Sequence, residues 1–379
     1  MPVSSEDIME RLKQGVAIRG ESLTESILEK ARLNGARLTD CDLSSSRFMG
    51  SDFRGGDFST SLLEGADFRF CDLREASFAE CRLAGANLSS AQLEGADLRD
   101  ADLSGVEIEK ARLRGCQMAE CILSEATLRD LDLGCVSGID GAQFREADLE
   151  SVLFISLNAS ELDFDDGYLR LVSFYSANLR ECRFIGARLS RVSFENLEGR
   201  DLLFNEIRAV DSSFRSVSIP SADFSGATLE GCDFTSSRLS CGRFQKARIR
   251  VGTRFDQATL DAADFSNAQL EAVTARGASL PQANFRGAVL QDCDFRDAIL
   301  AGADFRGVDL RRVDLRATNL RDARLEGAKL EWVALRRAQF ETSSIIGAEV
   351  FGRIDGIEGD SVMVTEEIAQ YLRRLRLDS

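Results

Sequence analysis

The chain has 379 residues, of which 47 are basic and 63 acidic, so its formal net charge is −16, and it contains no histidine. A surface of this sign repels phosphate, which argues against direct nucleic-acid binding. The absence of histidine removes the commonest general base and the commonest zinc ligand. Composition therefore argues against an enzyme or a metal centre, and we expect no cofactor.

The first element, in residues 1–15, is predicted to be a capping helix. Ser4 or Ser5 can serve as its N-cap. Three apolar residues at helical spacing would form a buried stripe: Ile8, Met9 and Leu12. The first residues are polar and acidic, unlike a signal sequence, and no apolar run reaches the roughly 18 residues of a membrane span. We expect no membrane contact and a cytoplasmic location.

A repeat of five residues follows over residues 16–350. A large apolar residue recurs at every fifth position, and a small residue lies two positions before each, as Ala66 does before Phe68. The first members of the apolar series are Leu23, Leu28, Leu33, Leu38, Leu43, Phe48, Phe53 and Phe58. Neither a helix nor a flat strand has this period. The pattern indicates a chain that turns a corner every five residues and places two side chains per repeat inside.

The stretch GADFRGVDLRRVDLRATNL, residues 302–320, resembles the repeats of the pentapeptide repeat proteins. The resemblance covers nearly the whole chain and implies an all-β fold, a right-handed quadrilateral β-helix with four repeats per coil. About 66 repeats would make about 16 coils, stacked over on the order of 80 Å at ~4.8 Å per strand. One coil cannot bury its own core, so the ends need caps.

The repeat register breaks twice, near residues 134–143 and near residues 250–252. The first segment is rich in glycine, and we interpret it as an excursion from the wall. A six-residue insertion there would keep Phe144 in phase with Phe48, Phe58, Phe68 and Phe78. Phenylalanine recurs every ten residues from Phe154 to Phe244, which is half a coil, so these rings should stack along two opposite faces. One residue added at the second break would continue the series at Phe255 and Phe265.

The C-terminal segment, residues 351–379, contains a second predicted helix. Thr365 precedes two glutamates, which suits a helix N-terminus. An apolar face follows at helical spacing: Ile368, Tyr371, Leu372 and Leu375. This helix either covers the last coil or carries a homodimer interface, as in some members of the family, and the two roles can coexist.

Eight of the ten cysteines occupy the small inward position, where cysteine packs as a small apolar residue. They are Cys41, Cys71, Cys81, Cys116, Cys121, Cys182, Cys232 and Cys293. Cys135, in the excursion, and Cys241, at a corner, are the exceptions. We predict a structural role for the eight, and neither catalysis nor metal binding.

Exposed apolar residues mark the candidate binding sites, because the outward positions are otherwise polar. Leu153, Ile155 and Tyr175 should point outward, and the last two are twenty residues apart, hence on one face. Tyr168 and Leu171 lie near them. Trp332, the only tryptophan, sits at a corner and is a second candidate anchor. The alternative interpretation is that a large surface tolerates imperfect repeats.

Three functions remain open. The first is a non-enzymatic scaffold or adaptor that presents a rigid acidic surface to a protein partner. The second follows from the family resemblance, since some pentapeptide repeat proteins imitate B-form DNA and bind DNA gyrase. Acidity concentrated in the first third of the chain agrees with it, whereas the many interleaved arginines do not. The third is a translocated bacterial effector, as some family members are.

Overall fold

The computed structural model describes residues 4–340, 343–345 and 347–351. They form a parallel β-solenoid of about 16 turns with one short helix, which confirms the all-β fold class. The chain divides into two compact units, unit 1 with Met1–Arg188 and unit 2 with Leu189–Ser379. The predicted C-terminal helix with Ile368, Tyr371, Leu372 and Leu375 lies outside the described residues.

Unit 1 begins with helix α1, Ser5–Lys13, and continues with short strands that pair in parallel with strands one coil away. The strands of unit 1 are β1 Ile18–Arg19, β2 Leu38–Thr39, β3 Glu107–Glu109, β4 Thr127–Arg129, β5 Asp148–Glu150, β6 Asn158–Ser160, β7 Tyr168–Arg170 and β8 Asn178–Arg180. Strand β9, Arg188–Ser190, starts at the last residue of the unit.

Unit 2 repeats the same architecture without a described helix. Its strands are β10 Glu198–Arg200, β11 Arg208–Val210, β12 Thr228–Glu230, β13 Arg248–Ile249, β14 Gln269–Glu271, β15 Val289–Gln291, β16 Asp309–Arg311, β17 Lys329–Glu331 and β18 Glu349–Phe351. From β11 to β18 each strand pairs in parallel with the next, at about one coil's separation. Between the strands, most other contacts of the wall are single parallel bridges.

Each five-residue repeat folds in the same way, as the repeat around Phe48 illustrates. The Phe48 N–H donates to the Asp67 carbonyl of the next coil at 2.8 Å, so the backbone polar groups are satisfied between coils. The Ser51 N–H donates back to the Phe48 carbonyl at 3.0 Å and closes a turn around Gly50, whose φ is +70°. Such a turn directs Phe48 and the small residue Ser51 inward, where both are buried.

The coil therefore has four faces, and each face ends at a corner residue with positive φ. We number the faces by their inward residues in the later coils of unit 1. Face 1 carries Phe144, Phe164 and Phe184; face 2 carries Leu149 and Leu169; face 3 carries Phe154 and Phe174; face 4 carries Ala159 and Leu179. The phenylalanines stack along opposite faces as predicted, with ring centroids of Phe144 and Phe164 4.8 Å apart and of Phe154 and Phe174 4.7 Å apart.

The interpretation of residues 134–143 as an excursion was wrong. Bridge partners across this segment are 21 residues apart instead of 20, as in Gln117 with Gly138. One residue is thus added, and the rest of the segment stays in the wall because Ile139 and Ala142 fill the two inward positions and are buried. Phe144 consequently follows Leu123 on face 1.

The expected phase match of Phe144 with the earlier phenylalanines is therefore also wrong. Phe48 and Phe68 stack on face 2 at 4.6 Å, and Phe58 and Phe78 on face 4 at 5.0 Å. In unit 2 the second break behaves as expected, since Asp233 pairs with Arg254 across one added residue. Its aromatic series continues, with Phe255 stacked on Phe234 at 4.8 Å and Phe265 on Phe244 at 4.7 Å.

Helix α1 lies on the first coils of unit 1. Ser4 is its N-cap and accepts a hydrogen bond from the Asp7 N–H at 3.2 Å. Of the predicted apolar stripe, Ile8 and Leu12 are buried against the core and Met9 is half-buried. Two contacts tie the helix to the wall: Arg11 donates to the Glu21 carboxylate, and the Ser5 hydroxyl accepts from the Ile27 N–H at 2.9 Å. The helix has the position and the contacts of a cap.

Candidate protein-binding surface

The structure brings three of the predicted surface residues together on face 3 of unit 1. Leu153 bridges to Ser173 in the next coil, and the Ser156 N–H donates to the Tyr175 carbonyl at 3.0 Å. Ile155 and Tyr175 therefore occupy equivalent positions in adjacent coils. Their exposed fractions are 39% and 43%, while Leu153 is half-buried beside them.

A close backbone approach holds Ile155 in place. Gly134 lies one coil before it, at the equivalent position of face 3. A Cβ atom on Gly134 would come within 2.4 Å of the Ile155 carbonyl oxygen and within 2.9 Å of its backbone nitrogen. Only glycine fits this approach without a backbone shift, so a larger residue at position 134 would displace Ile155.

The two coils of face 3 that carry these residues present no charged side chain. Their outward positions are Leu153, Ile155, Ser156, Ser173, Tyr175 and Ser176. The preceding coil on the same face presents Asp132, and the one before it Arg112 and Arg114. Depletion of charge with aromatic enrichment is the composition found at the core of protein interfaces.

The other two predicted residues of this region, Leu171 and Tyr168, lie at different places on the coil. Leu171 is 42% exposed at the corner between faces 2 and 3, next to the uncharged coils. Tyr168 lies at the far end of β7 on face 2, and the guanidinium of Arg188 sits over its ring at 4.9 Å. We define the central patch as Leu153, Ile155, Leu171 and Tyr175, without Tyr168.

Trp332, in unit 2, is 55% exposed at a corner with φ +54°. Sequence reasoning missed its counterpart in unit 1. Phe70 has the highest exposed fraction of the large apolar side chains described, 61%, at a corner with φ +59°. The signal was available, because Phe70 follows the inward Phe68 by two positions, as Trp332 follows Leu330.

Eight aspartates on the faces are neutralised by an arginine of the same repeat. An aspartate before the inward residue and an arginine after it point outward side by side and form a two-bond fork. The forks are Asp52–Arg54, Asp67–Arg69, Asp72–Arg74 and Asp97–Arg99 in unit 1, and Asp294–Arg296, Asp304–Arg306, Asp309–Arg311 and Asp314–Arg316 in unit 2. The Arg74 hydrogen bonds hold the pKa of the Asp72 carboxyl below its ordinary value.

Unneutralised acids collect instead at the corner between faces 4 and 1 of unit 1. Five exposed carboxylates follow one another along this corner and take part in no ion pair among the described residues: Glu80, Asp100, Glu120, Glu161 and Glu181. Gly141 occupies the position between Glu120 and Glu161. We call this row the acidic corner.

The cysteines follow the prediction for the inward position. All eight are buried, and the Cys71 thiol donates to the Phe48 carbonyl at 2.9 Å. Burial raises the pKa of Cys71 to about 12 and also raises the pKa of the half-buried Cys135. Over the described part of the chain, no group of His, Cys, Asp and Glu side chains is arranged to hold a metal ion. Within the same residues, no helix has the length and apolar character needed to cross a membrane.

A family model described as "Pentapeptide repeats" matches eight copies in this chain, over residues 22–55, 61–100, 101–134, 160–196, 213–250, 268–307 and 303–342. The match covers more than half of the sequence, so the chain belongs to the pentapeptide repeat family. No curated protein matched.

Solved structures of the same family are similar over long stretches. Trypsin-treated QnrB1, a plasmid-mediated fluoroquinolone resistance protein, is 16% identical with a TM-score of 0.40, over 59% of this chain and 97% of its own. HetL, which is involved in heterocyst differentiation regulation in Nostoc sp. strain PCC 7120, is 22% identical with a TM-score of 0.18, over 73% of this chain and 89% of its own. Similarities at this level say nothing of what the present chain binds.

Proposed function

We propose that this chain is a non-enzymatic scaffold that binds a protein through the central patch of unit 1. The observation that carries the proposal is the uncharged surface of two adjacent coils on face 3, with Ile155 and Tyr175 exposed at equivalent positions. The preceding coils of the same face carry charged residues, Asp132 in one and Arg112 and Arg114 in the other. Exposed apolar patches rimmed by polar residues are typical of interaction sites.

The test is an affinity capture with the intact chain as bait and a triple variant, Leu153→Glu, Ile155→Glu and Tyr175→Glu. The matched control adds the same three charges elsewhere in unit 1, as Ala79→Glu, Ala84→Glu and Ala119→Glu, which stand directly after inward residues as Ile155 and Tyr175 do. A protein retained by wild type and control but lost by the triple variant supports the proposal. Equal retention by all three baits removes the central patch as the binding surface.

A second candidate function is imitation of DNA toward a topoisomerase such as DNA gyrase, as in some members of the family. The acidic corner favours it, because its five carboxylates form an unneutralised row. The forks count against it, since a mimic of the phosphate backbone needs free carboxylates and here many are bonded to arginine.

A supercoiling assay with purified gyrase separates the two functions. If the acidic corner is a mimic, Glu80→Gln, Glu120→Gln and Glu161→Gln together should weaken the effect of the chain on gyrase about tenfold or more. The control removes the same number of charges from forks, as Asp52→Asn, Asp72→Asn and Asp97→Asn. A wild-type chain without effect on gyrase removes this candidate. The effector role and the cytoplasmic location stay predictions.

A further inference from the structure

Phe70 stands in a place that is unfavourable for phenylalanine on two counts. It is 61% exposed to water, and its φ of +59° belongs to the left-handed region, where a bulky side chain is an outlier. Glycine, serine and charged residues fill most other corners. Among the positive-φ residues described in unit 1, Phe70 and Leu171 are the large apolar ones.

Both residues lie on the same corner, between faces 2 and 3. A continuous series of backbone hydrogen bonds links the corner residues of six successive coils, from 2.7 to 3.1 Å: Phe70 to Ser89, Ser90 to Glu109, Lys110 to Arg129, Asp130 to Glu150, and Ser151 to Arg170. Leu171 is the corner residue of the sixth coil. At ~4.8 Å per coil, Phe70 and Leu171 are about 24 Å apart along this corner.

We propose that unit 1 pairs with a second copy of the chain through face 3 and this corner, in an antiparallel arrangement. The proposal rests on the proposed function in taking the central patch as a protein-binding surface, and it names the partner. The twofold axis would lie in the plane of the interface and run perpendicular to the stacking direction of the coils. It would pass between the coil of Lys110 and the coil of Asp130. Phe70 of each copy then meets Leu171 of the other at the corner, and Tyr175 lies opposite Arg74 on the far side of the face. A twofold interface is self-complementary, so this contact occurs twice.

The charges along the same stretch of face 3 are complementary about the same axis. One coil presents Lys110, Arg112 and Arg114, and the next presents Asp130 and Asp132, all exposed. Inverting the direction of the second copy places Lys110 of one chain opposite Asp130 of the other and Arg112 opposite Asp132. Lys110 already lies 3.6 Å from Asp130 of its own chain and would gain a second acidic partner. The axis that matches the apolar residues therefore also matches the charges, although neither feature was used to locate the other.

The surroundings of Phe70 also suit burial. Its neighbours along the corner, Gly50 and Ser90, are small and leave the ring accessible. The nearest charges on face 3, Asp72 and Arg74, already form a fork, with Arg74 Nη2 2.6 Å from Asp72 Oδ2. Covering this region leaves no unpaired charge beside the ring, and the opposite coil supplies the hydroxyls of Ser173 and Ser176.

The experiment is sedimentation of the intact chain over a dilution series, which gives the mass of one chain or of two. We expect a wild-type dimer, and Phe70→Glu and Leu171→Glu should each raise its dissociation constant at least about tenfold, the effect of losing an interface anchor. An equimolar mixture of the two variants should dimerise better than either alone. A dimer of one variant with the other has two equivalent contacts. In one of them, an unchanged Phe70 from one variant meets the unchanged patch of the other.

Exchanging a basic and an acidic residue on face 3 independently tests how the two copies are aligned along their coils. Arg112→Asp should weaken the dimer, and adding Asp132→Arg in the same chain should restore it, because Arg112 of one copy lies opposite Asp132 of the other and the two charges are then exchanged. Ser45→Glu is the control, since it places a carboxylate at another positive-φ corner of unit 1, between faces 1 and 2. It should leave the dimer unchanged.

Three results would overturn the proposal: a wild-type chain that stays monomeric at every concentration, a dimer unaffected by Phe70→Glu and Leu171→Glu, or a mixture of the variants no better than its components. None of these decides the proposed function. If the triple variant on the central patch loses a protein that wild type retains, the scaffold stands with a different partner. If wild type dimerises but captures nothing else through the patch, the scaffold for other proteins fails and the self-association remains.

Discussion

Arg74 holds Asp72 by two hydrogen bonds, Nε to Oδ1 at 2.8 Å and Nη2 to Oδ2 at 2.6 Å, across the inward side chain of Leu73. The two residues stand on either side of one buried position, so the five-residue repeat itself brings them together. The same relationship recurs in seven further repeats. Each fork carries no net charge, so the net charge of −16 comes from acidic residues other than these eight aspartates.

The forks make the free energy of unfolding depend on pH in the acidic range. Asp294 in unit 2 is the clearest case. Burial acts to raise the pKa of its carboxyl, but hydrogen bonds from Arg296 and Arg276 outweigh burial and lower that pKa to about 2. The ordinary value in an unfolded chain is about 3.9. Because the folded pKa is the lower one, the stabilisation is complete above the unfolded value and is lost as the pH falls from about 4 to 2.

We predict that Asp294→Asn lowers the free energy of unfolding by about 2 kcal/mol at neutral pH, and that the difference from wild type disappears near pH 2. Denaturant unfolding at a series of pH values measures it. Asp297→Asn changes the exposed corner residue of the same repeat and should have little effect at any pH. A difference between wild type and Asp294→Asn that persists at pH 2 would contradict the ionic origin.

Phe68 and Phe70 provide a matched pair for the inward rule, because they are two residues apart and identical in chemistry. Phe68 is fully buried, stacked on Phe48 at 4.6 Å and edge-on to Phe78 at 5.5 Å. We predict that Phe68→Ala lowers the free energy of unfolding by about 3–5 kcal/mol, as for other buried phenylalanines. Phe70→Ala should change it by less than about 1 kcal/mol, since the ring is exposed.

Equilibrium denaturation at a protein concentration where the chain is monomeric measures both variants. Working below the dissociation constant matters, because pairing would add concentration-dependent stability to wild type alone. A large loss for Phe70→Ala in the monomer would show that the ring supports the fold of unit 1 and would remove the strain argument for an interface.

The five-residue period predicted which side chains are inside, because each inward position requires a large or a small apolar residue and the sequence states both. It did not predict how residues 134–143 join the wall. Glycine-rich composition is equally compatible with a loop and with one added residue at a corner, and only the pairing of Gln117 with Gly138 distinguishes them. The contact of Tyr168 with Arg188 was also not predicted, because it joins residues of different coils.

Gly134 and Gly138 allow a test of how the added residue supports the central patch. We predict that Gly134→Ala lowers the free energy of unfolding by about 1–3 kcal/mol, because its Cβ would meet backbone atoms of Ile155 that cannot move alone. Gly138→Ala is the control from the same segment, since its Cβ would meet nothing within 4 Å. It should be neutral or slightly stabilising.

The same pair bears on binding. Because a side chain at residue 134 would displace Ile155, Gly134→Ala should also weaken whatever the central patch binds, while Gly138→Ala should leave binding intact. Capture by the two variants, compared with wild type under conditions where both stay folded, measures this. Normal binding by a destabilised Gly134→Ala chain would show that Ile155 is not a contact residue.

The thiols should fall into two reactivity classes in the native chain. Alkylation needs the thiolate, and burial raises the pKa of Cys71, Cys81 and Cys182 to about 12, so these groups stay protonated and shielded. Cys241 is exposed at a corner of unit 2. We predict that iodoacetamide at mildly alkaline pH modifies Cys241 first, the half-buried Cys135 more slowly, and the eight inward cysteines only after unfolding. Peptide mass spectrometry of native and denatured samples measures the order. Early modification of Cys71 or Cys81 in the native chain would mean that the coils of unit 1 open locally, and the packed core described for them would then need revision.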